Sequence, residues 1–263
     1  MYADDHKANL NGTYGACCNE MDIWEANRAA NAYTPHPCNA NQTFACQGVE
    51  CGGSQESRYL GVCDKDGCDY NPYRNGNKAF YSPGANYTVD TSKTFTVITQ
   101  FITTDNTSTG DLKEIRRLYV QNGKVIQNSK VNVPGLDPVD TMTDAYCAAT
   151  KKVFGGTDHF TQLGALKKMG EAIGRGMVLA LSIWDDGGSY MGWLDQDPYP
   201  ADGDSTKPGV GRGPCPVTGG RPDVLIKEFP DAKVVFSNIR SGDIGSTYVS
   251  QNGTDARRRV RMY

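Results

Sequence analysis

Strand-like patterning is confined to a few stretches of the chain. Thr94-Phe95-Thr96-Val97-Ile98-Thr99-Gln100-Phe101 is β-branched and aromatic and predicts a strand. Ile115 to Val120 runs on through Gln121-Asn122-Gly123-Lys124 into Val125-Ile126. Asn-Gly between two such runs predicts a hairpin. Met177 to Trp184 is the longest strongly apolar run, broken only by Ser182, and is strand-sized, as expected of a strand buried on both faces or in a sandwich core. Lys233 to Ile239 reads as a last strand. Helical spacing is found once, over Phe160 to Ile173, where Leu163, Leu166, Met169 and Ile173 recur and Gly174 suits the C-terminal cap. Many strands with turn punctuation and one short helix predict an all-β fold, an antiparallel sandwich.

The stretch Cys17-Cys18-Asn19-Glu20-Met21-Asp22-Ile23-Trp24-Glu25 reads as a further strand, and it is unusual. It places three carboxylates within six positions among apolar residues. On a period-2 strand Glu20, Asp22 and Trp24 share one face and Glu25 has the wrong parity. A helix does no better, because i, i+2 and i+5 share no helical face. If the three acids converge, the strand must carry a bulge or bend between Asp22 and Glu25.

Residues 26–80 show little periodicity and read as long loops. Seven of the nine cysteines lie between Cys17 and Cys68. Their spacing is unlike paired zinc knuckles and favours a disulfide framework, hence an oxidising compartment. Five Asn-x-Ser/Thr sequons, at Asn11, Asn41, Asn86, Asn106 and Asn252, point the same way. No signal peptide is visible at the N-terminus, and no apolar run reaches membrane-spanning length. The net charge of −3 gives no global basic field for nucleic acid. The 30 Gly and 14 Tyr suit a turn-rich protein with aromatic surface.

Paired carboxylates are what glycosidic-bond cleavage needs. One protonates the leaving oxygen; the other attacks the anomeric carbon or activates water. Glu20 and Glu25 are candidates for that pair, with Asp22 placed to orient Glu20 and hold its charge state. The competing readings are a solvated strand face and a calcium site, although the motif lacks the alternating acids of a calcium loop. A saccharide site also uses aromatic platforms. Trp24 and Trp184 suit core packing, and Trp193, in a Met-Gly-Trp-Leu-Asp loop, suits an exposed platform. Arg58, Arg74 and Arg212 sit in loops, where a guanidinium holds several hydroxyls or simply forms a surface ion pair. His36, between two prolines, has a stiff backbone and is placed to hydrogen-bond the acid/base carboxyl, whereas His6 and His159 read as packed or surface residues. No Gly-x-Ser-x-Gly elbow is present.

Glu20-Met21-Asp22-Ile23-Trp24-Glu25-Ala26-Asn27 followed by Thr34-Pro35-His36-Pro37-Cys38 resembles glycoside hydrolase family 7, the secreted cellobiohydrolases and endoglucanases. The likeness continues through Cys63-Asp64-Lys65-Asp66-Gly67-Cys68-Asp69-Tyr70-Asn71-Pro72-Tyr73-Arg74, Gly176-Met177-Val178-Leu179, Ser182-Ile183-Trp184-Asp185-Asp186, Met191-Gly192-Trp193-Leu194-Asp195 and Val235-Phe236-Ser237-Asn238-Ile239, over roughly residues 11–248. It implies a β-jelly-roll sandwich with a long cleft and retaining hydrolysis of β-1,4-glucosidic bonds in cellulose, with cellobiose released. By motif position Glu20 is implied as nucleophile, Glu25 as acid/base, Asp22 as the residue orienting Glu20 and His36 as the histidine beside the acid/base. Trp184 and Trp193 are implied to stack glucosyl rings, and Arg58, Asp66, Asp69 and Arg212 match product-site positions.

The long Cys38–Cys68 segment favours the cellobiohydrolase type; an endo-acting enzyme and a non-catalytic glucan-binding remnant are the alternatives. The family pattern implies the bridges Cys38–Cys63, Cys46–Cys51 and Cys68–Cys147. It leaves Cys17, Cys18 and Cys215 to pair with upstream cysteines, and so implies a truncated chain lacking N-terminal strands. The expected organisation is a polar segment over 1–16, a partial catalytic domain over 17–250 and a basic tail over 251–263. The expected setting is extracellular, as a secreted monomer that acts on cellulose or β-1,4-glucan oligosaccharides, with no cofactor, metal, nucleic acid or membrane partner.

Overall fold

The computed structural model of the protein describes residues 14–249. Most of the polar segment 1–16, the basic tail 251–263, the sequons at Asn11 and Asn252, and His6 lie outside the described residues. The chain opens with β1 (Gly15–Cys17), β2 (Glu20–Ala26), β3 (Asn31–His36) and β4 (Phe44–Cys46), then a 3-10 turn at Gly48–Cys51. β5 (Tyr81–Ser82), β6 (Val89–Asp90), β7 (Thr96–Thr103), β8 (Leu112–Gln121), β9 (Lys124–Gln127) and β10 (Thr141–Met142) follow. Five helices come after them: α1 (Asp144–Phe154), α2 (His159–Gln162), α3 (Ala165–Gly174), α4 (Gly192–Asp195) and α5 (Pro222–Glu228).

Among the described residues the strands form one four-stranded sheet and three two-stranded ones. β8 pairs antiparallel with β7, β9 and β10, and the β8–β9 hairpin turns at Asn122-Gly123, both at positive φ, as the Asn-Gly signal required. β2 pairs with β3, β1 with β4, and the short β5 with β6 in parallel. The principal core lies between β8 and the helices, built on Tyr33, Tyr70, Ile115, Met142, Phe160, Leu166 and Met169. Each such apolar or aromatic side chain contributes roughly 1.5–3 kcal/mol on burial. Tyr33, Tyr70 and Tyr146 stack in sequence, with centroids 5.4 and 5.0 Å apart. A second core of Phe80, Tyr81, Val89 and Tyr119 supports Trp24 from beneath.

The expectation of an all-β sandwich is therefore corrected: the fold is mixed α/β, with several antiparallel pairings and five α-helices among the described residues. The single helix expected over Phe160 to Ile173 is two, broken where Gly164 takes φ 96°. α1 was invisible to periodicity because Tyr146, Cys147 and Thr150 are its buried face, a polar and mixed set. Its ends are nonetheless well formed. The Thr143 hydroxyl accepts from the Tyr146 N–H, and Gly155 closes the helix in the left-handed region. α5 begins with Pro222 in its first turn.

Two expected strands are also absent. Met177–Trp184 and Lys233–Ile239 have no ladder partner among the described residues. Instead of being buried, Val178 is 94% exposed and Val235 79%. An apolar run alone cannot satisfy its backbone as a sheet, so neither run becomes a strand. In the reverse direction, β3 lies inside the stretch expected to be loop. Asn31 to Pro35 are buried throughout, so the strand lacks the alternation that would have marked it.

Candidate active site

The site is organised by β2 and β3. Glu20 lies opposite His36, Met21 opposite Pro35 and Asp22 opposite Thr34; the register then shifts, and Glu25 lies opposite Ala32. From Asp22 to Glu25 β2 advances three residues while β3 retreats two, so β2 carries one extra residue. This bulge is the device the parity of the three acids demanded. It returns Glu25 to the face of Glu20 and Asp22, where Thr34 Oγ1 donates to Glu25 Oε2 at 3.4 Å. Trp24 leaves that face. Its ring meets Tyr81, Phe95 and Tyr119 edge-on at 5.8–6.1 Å.

His36 binds the acids into one cluster. Its Nε2 is 3.1 Å from Asp22 Oδ2 and its Nδ1 2.9 Å from the Asp64 carbonyl oxygen. A carbonyl only accepts, so Nδ1 carries a proton. Burial opposes the imidazolium, but the Asp22 hydrogen bond and the charges of Asp22, Asp64 and Glu20 outweigh it and raise His36 to about 9. Gly67 closes over this ring: a Cβ there would stand 2.3 Å from Thr34 Cγ2 and 2.6 Å from His36 Cε1, and its φ is 65°.

The two glutamates are not equivalent. Burial, then the Asp22 charge, raise Glu25 to about 8, against the opposing pull of His36. Burial and Asp22 also raise Glu20, with His36 again opposing. Both carboxyls are thus pushed toward their protonated forms, and Glu25, raised to about 8, is suited to donate a proton near neutral pH.

Glu20, Asp22, Glu25, His36, Arg58, Asp66, Asp69, Trp184, Trp193 and Arg212 all border one wide, open depression that takes in a large part of the described surface. The loop cations and acids form paired units on its wall. Arg58 Nε donates to Asp66 Oδ1 at 2.6 Å, and Tyr59 OH donates to Asp66 Oδ2 at 2.8 Å. Asp69 is held by Arg74, with Arg212 Nη1 4.0 Å away. Burial works against the ionised forms of Asp66 and Asp69, but the cations beside them keep both below the usual carboxylate range. Burial, then the Arg74 charge, lower Arg212 to about 10.

Trp184, for which the residues alone suggested core packing and the resemblance a stacking platform, is 54% exposed, whereas Trp193, read as an exposed platform, is half-buried. The two rings stack with centroids 6.1 Å apart and an interplanar angle of 20°. Trp193 Nε1 donates to Asp186 Oδ2 at 3.3 Å. The sequence also gave no role to Thr34, Asn27 or Asp195. Asn27, just past β2, donates to Asp195 Oδ2 at 2.6 Å and ties the acid strand to the tryptophan loop. Asn and Asp 168 residues apart carry no local signal of such a contact.

Three disulfides are present, Cys38–Cys63, Cys46–Cys51 and Cys68–Cys147, as the resemblance implied. Cys17, Cys18 and Cys215 are free, Cys17 being buried. No group of three or more His, Cys, Asp or Glu suited to a metal ion occurs among the described residues. No helix among them is long and apolar enough to cross a membrane.

Comparison with known proteins matches residues 2–248 to the family model described as glycosyl hydrolase family 7. Among solved structures, the chain is similar to a family cellobiohydrolase from Daphnia pulex. The identity is 52%, the TM-score 0.80, and the match covers 82% of this chain and 49% of that one. It is similar to the Humicola insolens endocellulase EGI at 40% identity and TM-score 0.69, covering 84% and 49%. It is also similar to a cellobiohydrolase from Melanocarpus albomyces complexed with cellotetraose, at 39% identity and TM-score 0.81, covering 90% and 52%. The chain thus spans about half the length of the solved relatives it matches.

Proposed function

Because the chain belongs to glycosyl hydrolase family 7, we propose that its acid cluster carries out retaining hydrolysis of β-1,4-glucosidic bonds in cellulose and its oligosaccharides. The observation that carries the reading is the single-residue bulge that gathers Glu20, Asp22 and Glu25 on one face of β2. Glu20 attacks the anomeric carbon as Glu25 gives its proton to the leaving oxygen, which breaks the glycosidic bond and leaves a glycosyl ester on Glu20. Water then attacks the same carbon, Glu25 takes its proton, and the Glu20 carboxylate departs with net retention. Asp22 orients Glu20, and His36 holds Asp22 from the other side. Trp184 and Trp193 serve as platforms for glucosyl rings, and the Arg58–Asp66 and Asp69–Arg212 groups bind hydroxyls on the product side.

Release of cellobiose, in the manner of the Daphnia and Melanocarpus relatives, is the favoured mode, and the reading places the protein outside the cell as a secreted monomer. The three disulfides support that location. An endo mode is the second reading, supported by the 40% identity to the Humicola endocellulase. The test is hydrolysis of a soluble cello-oligosaccharide followed by proton NMR of the newly formed anomeric centre. The β-anomer is expected first, and Glu25→Gln is expected to lower the rate about 10²–10⁴-fold on an unactivated substrate. First appearance of the α-anomer, or an undiminished rate in Glu25→Gln, would overturn the proposal.

A further inference from the structure

Beneath the bulge lies a charge that the chemistry above does not use. Arg117, on β8 opposite Thr99, is 0% exposed. Its guanidinium carbon sits 4.6 Å from the centroid of Tyr33 and 5.1 Å from that of Trp24. These residues belong to β3 and β2 where the register shifts. No carboxylate pairs with it among the described residues, and Nε and Nη1 have no hydrogen-bond partner there. An unpaired buried cation is expensive, and an apolar side chain of similar volume is often at least as stable in its place. Bulk packing therefore does not explain an arginine here.

Its one hydrogen bond does. Nη2 donates to the carbonyl oxygen of Ile23. Ile23 and Trp24 are the residues between Asp22 and Glu25 that face the single Tyr33 across the bulge. An extra residue leaves backbone groups outside the ladder, and a buried one must find a partner elsewhere. A planar, weakly hydrated guanidinium suits the place, because it stacks on both rings while giving an N–H to the carbonyl.

We propose that Arg117 is a positioning residue for the carboxylate pair: by holding the Ile23 carbonyl it fixes the extra residue of β2 between Asp22 and Glu25, and so turns Glu25 onto the face of Glu20. The inference rests on the reading of Glu20 and Glu25 as the working pair, but it concerns geometry, and its test needs no turnover. The groups facing Glu25 are Asp22, Glu20, His36 and Thr34. If the bend relaxes, Glu25 leaves the buried acids and its titration falls towards the ordinary carboxylate range. Mere loss of a nearby positive charge would move it the other way.

The experiment is a carbon-13 NMR titration of the Glu25 carboxyl in the unsubstituted protein, Arg117→Met and Arg117→Lys, each first shown to melt cooperatively. Arg117→Met is expected to lower the Glu25 midpoint by one unit or more. Arg117→Lys, which keeps a donor, is expected to restore at least half of the shift. A midpoint unchanged or raised in folded Arg117→Met would overturn the proposal, as would failure of Lys to restore any of the shift. Should Arg117→Met not fold, the scalar coupling across the hydrogen bond from Arg117 Nη2 to the Ile23 carbonyl carbon decides in the unsubstituted protein. Its presence supports the assignment and its absence overturns it. A hydrolysis assay that fails while these readouts hold would count against the proposed function and not against this role.

Discussion

His36 Nε2 stands 3.1 Å from Asp22 Oδ2, and the same ring gives its other proton to the Asp64 carbonyl. One imidazolium thus fixes the acid that lies between the two glutamates. Removing the Asp22 charge removes the chief support of that cation and one of the groups that raises Glu25. Asp22→Asn should therefore lower His36 from about 9 and Glu25 from about 8, each by about 1–3 units. NMR titration of the two side chains checks this, and a rise in either contradicts it.

The same shifts set the dependence of stability on pH. His36 is raised above its unfolded value of 6.5 to about 9. Its stabilisation is complete below 6.5 and lost as pH rises through 9. Glu25 is raised from 4.5 to about 8, so the folded state disfavours its charge and is penalised progressively over that interval. Glu20 acts in the same direction. In each window the folded state binds more protons than the unfolded, so stability falls as pH rises. Thermal melts should show a lower midpoint at pH 9 than at pH 5. His36→Asn together with Glu25→Gln should flatten the slope.

Cys68–Cys147 closes a loop of sequence separation 79 and pins α1 against the Tyr70 region, whereas Cys46–Cys51 spans only 5. Chain-entropy arguments give the long bridge about 4–5 kcal/mol and the short one about 2 kcal/mol. Replacing both cysteines by serine should therefore lower the denaturation midpoint more for the first pair than for the second. Equal losses would contradict this ordering.

Trp24 and Trp184 should behave oppositely. Trp24→Ala empties a position packed against Tyr81, Phe95 and Tyr119, and a loss of about 3–5 kcal/mol of stability is expected. Trp184 is exposed, so Trp184→Ala should leave the melting midpoint within a degree or two. It should weaken cello-oligosaccharide binding by about tenfold, as loss of a stacking platform worth roughly 1–1.5 kcal/mol would. Calorimetry with cellotetraose reads the second effect, and unchanged affinity would contradict the platform role.

Legibility in the sequence followed the range of the interactions. The β8–β9 hairpin was readable because Asn122-Gly123 is a local signal, and the bulge was readable because the parity of Glu20, Asp22 and Glu25 left no other way to gather them. Family likeness carried the cysteine pairing, which spacing alone leaves open. β3 was missed because a strand buried on both faces has no alternation, and α1 because its buried face is Tyr146, Cys147 and Thr150. Met177–Trp184 misled in the other direction. Its composition is that of a buried strand, but a strand exists only where a neighbour completes the ladder. Arg117 carried no signal, since an arginine on a strand that also holds Lys113, Glu114 and Arg116 reads as an outward-facing residue until Trp24 and Tyr33 are seen above it.

The most direct test of the account is the covalent intermediate on Glu20. The protein would be incubated with an activated 2-deoxy-2-fluoro cellobioside, which slows breakdown of a glycosyl ester, then digested and analysed by mass spectrometry. The predicted result is one glycosyl adduct on the peptide containing Glu20, absent in Glu20→Gln. An adduct on a different residue, or none in protein shown to bind cello-oligosaccharides, would contradict the assignment of this carboxylate as the nucleophile.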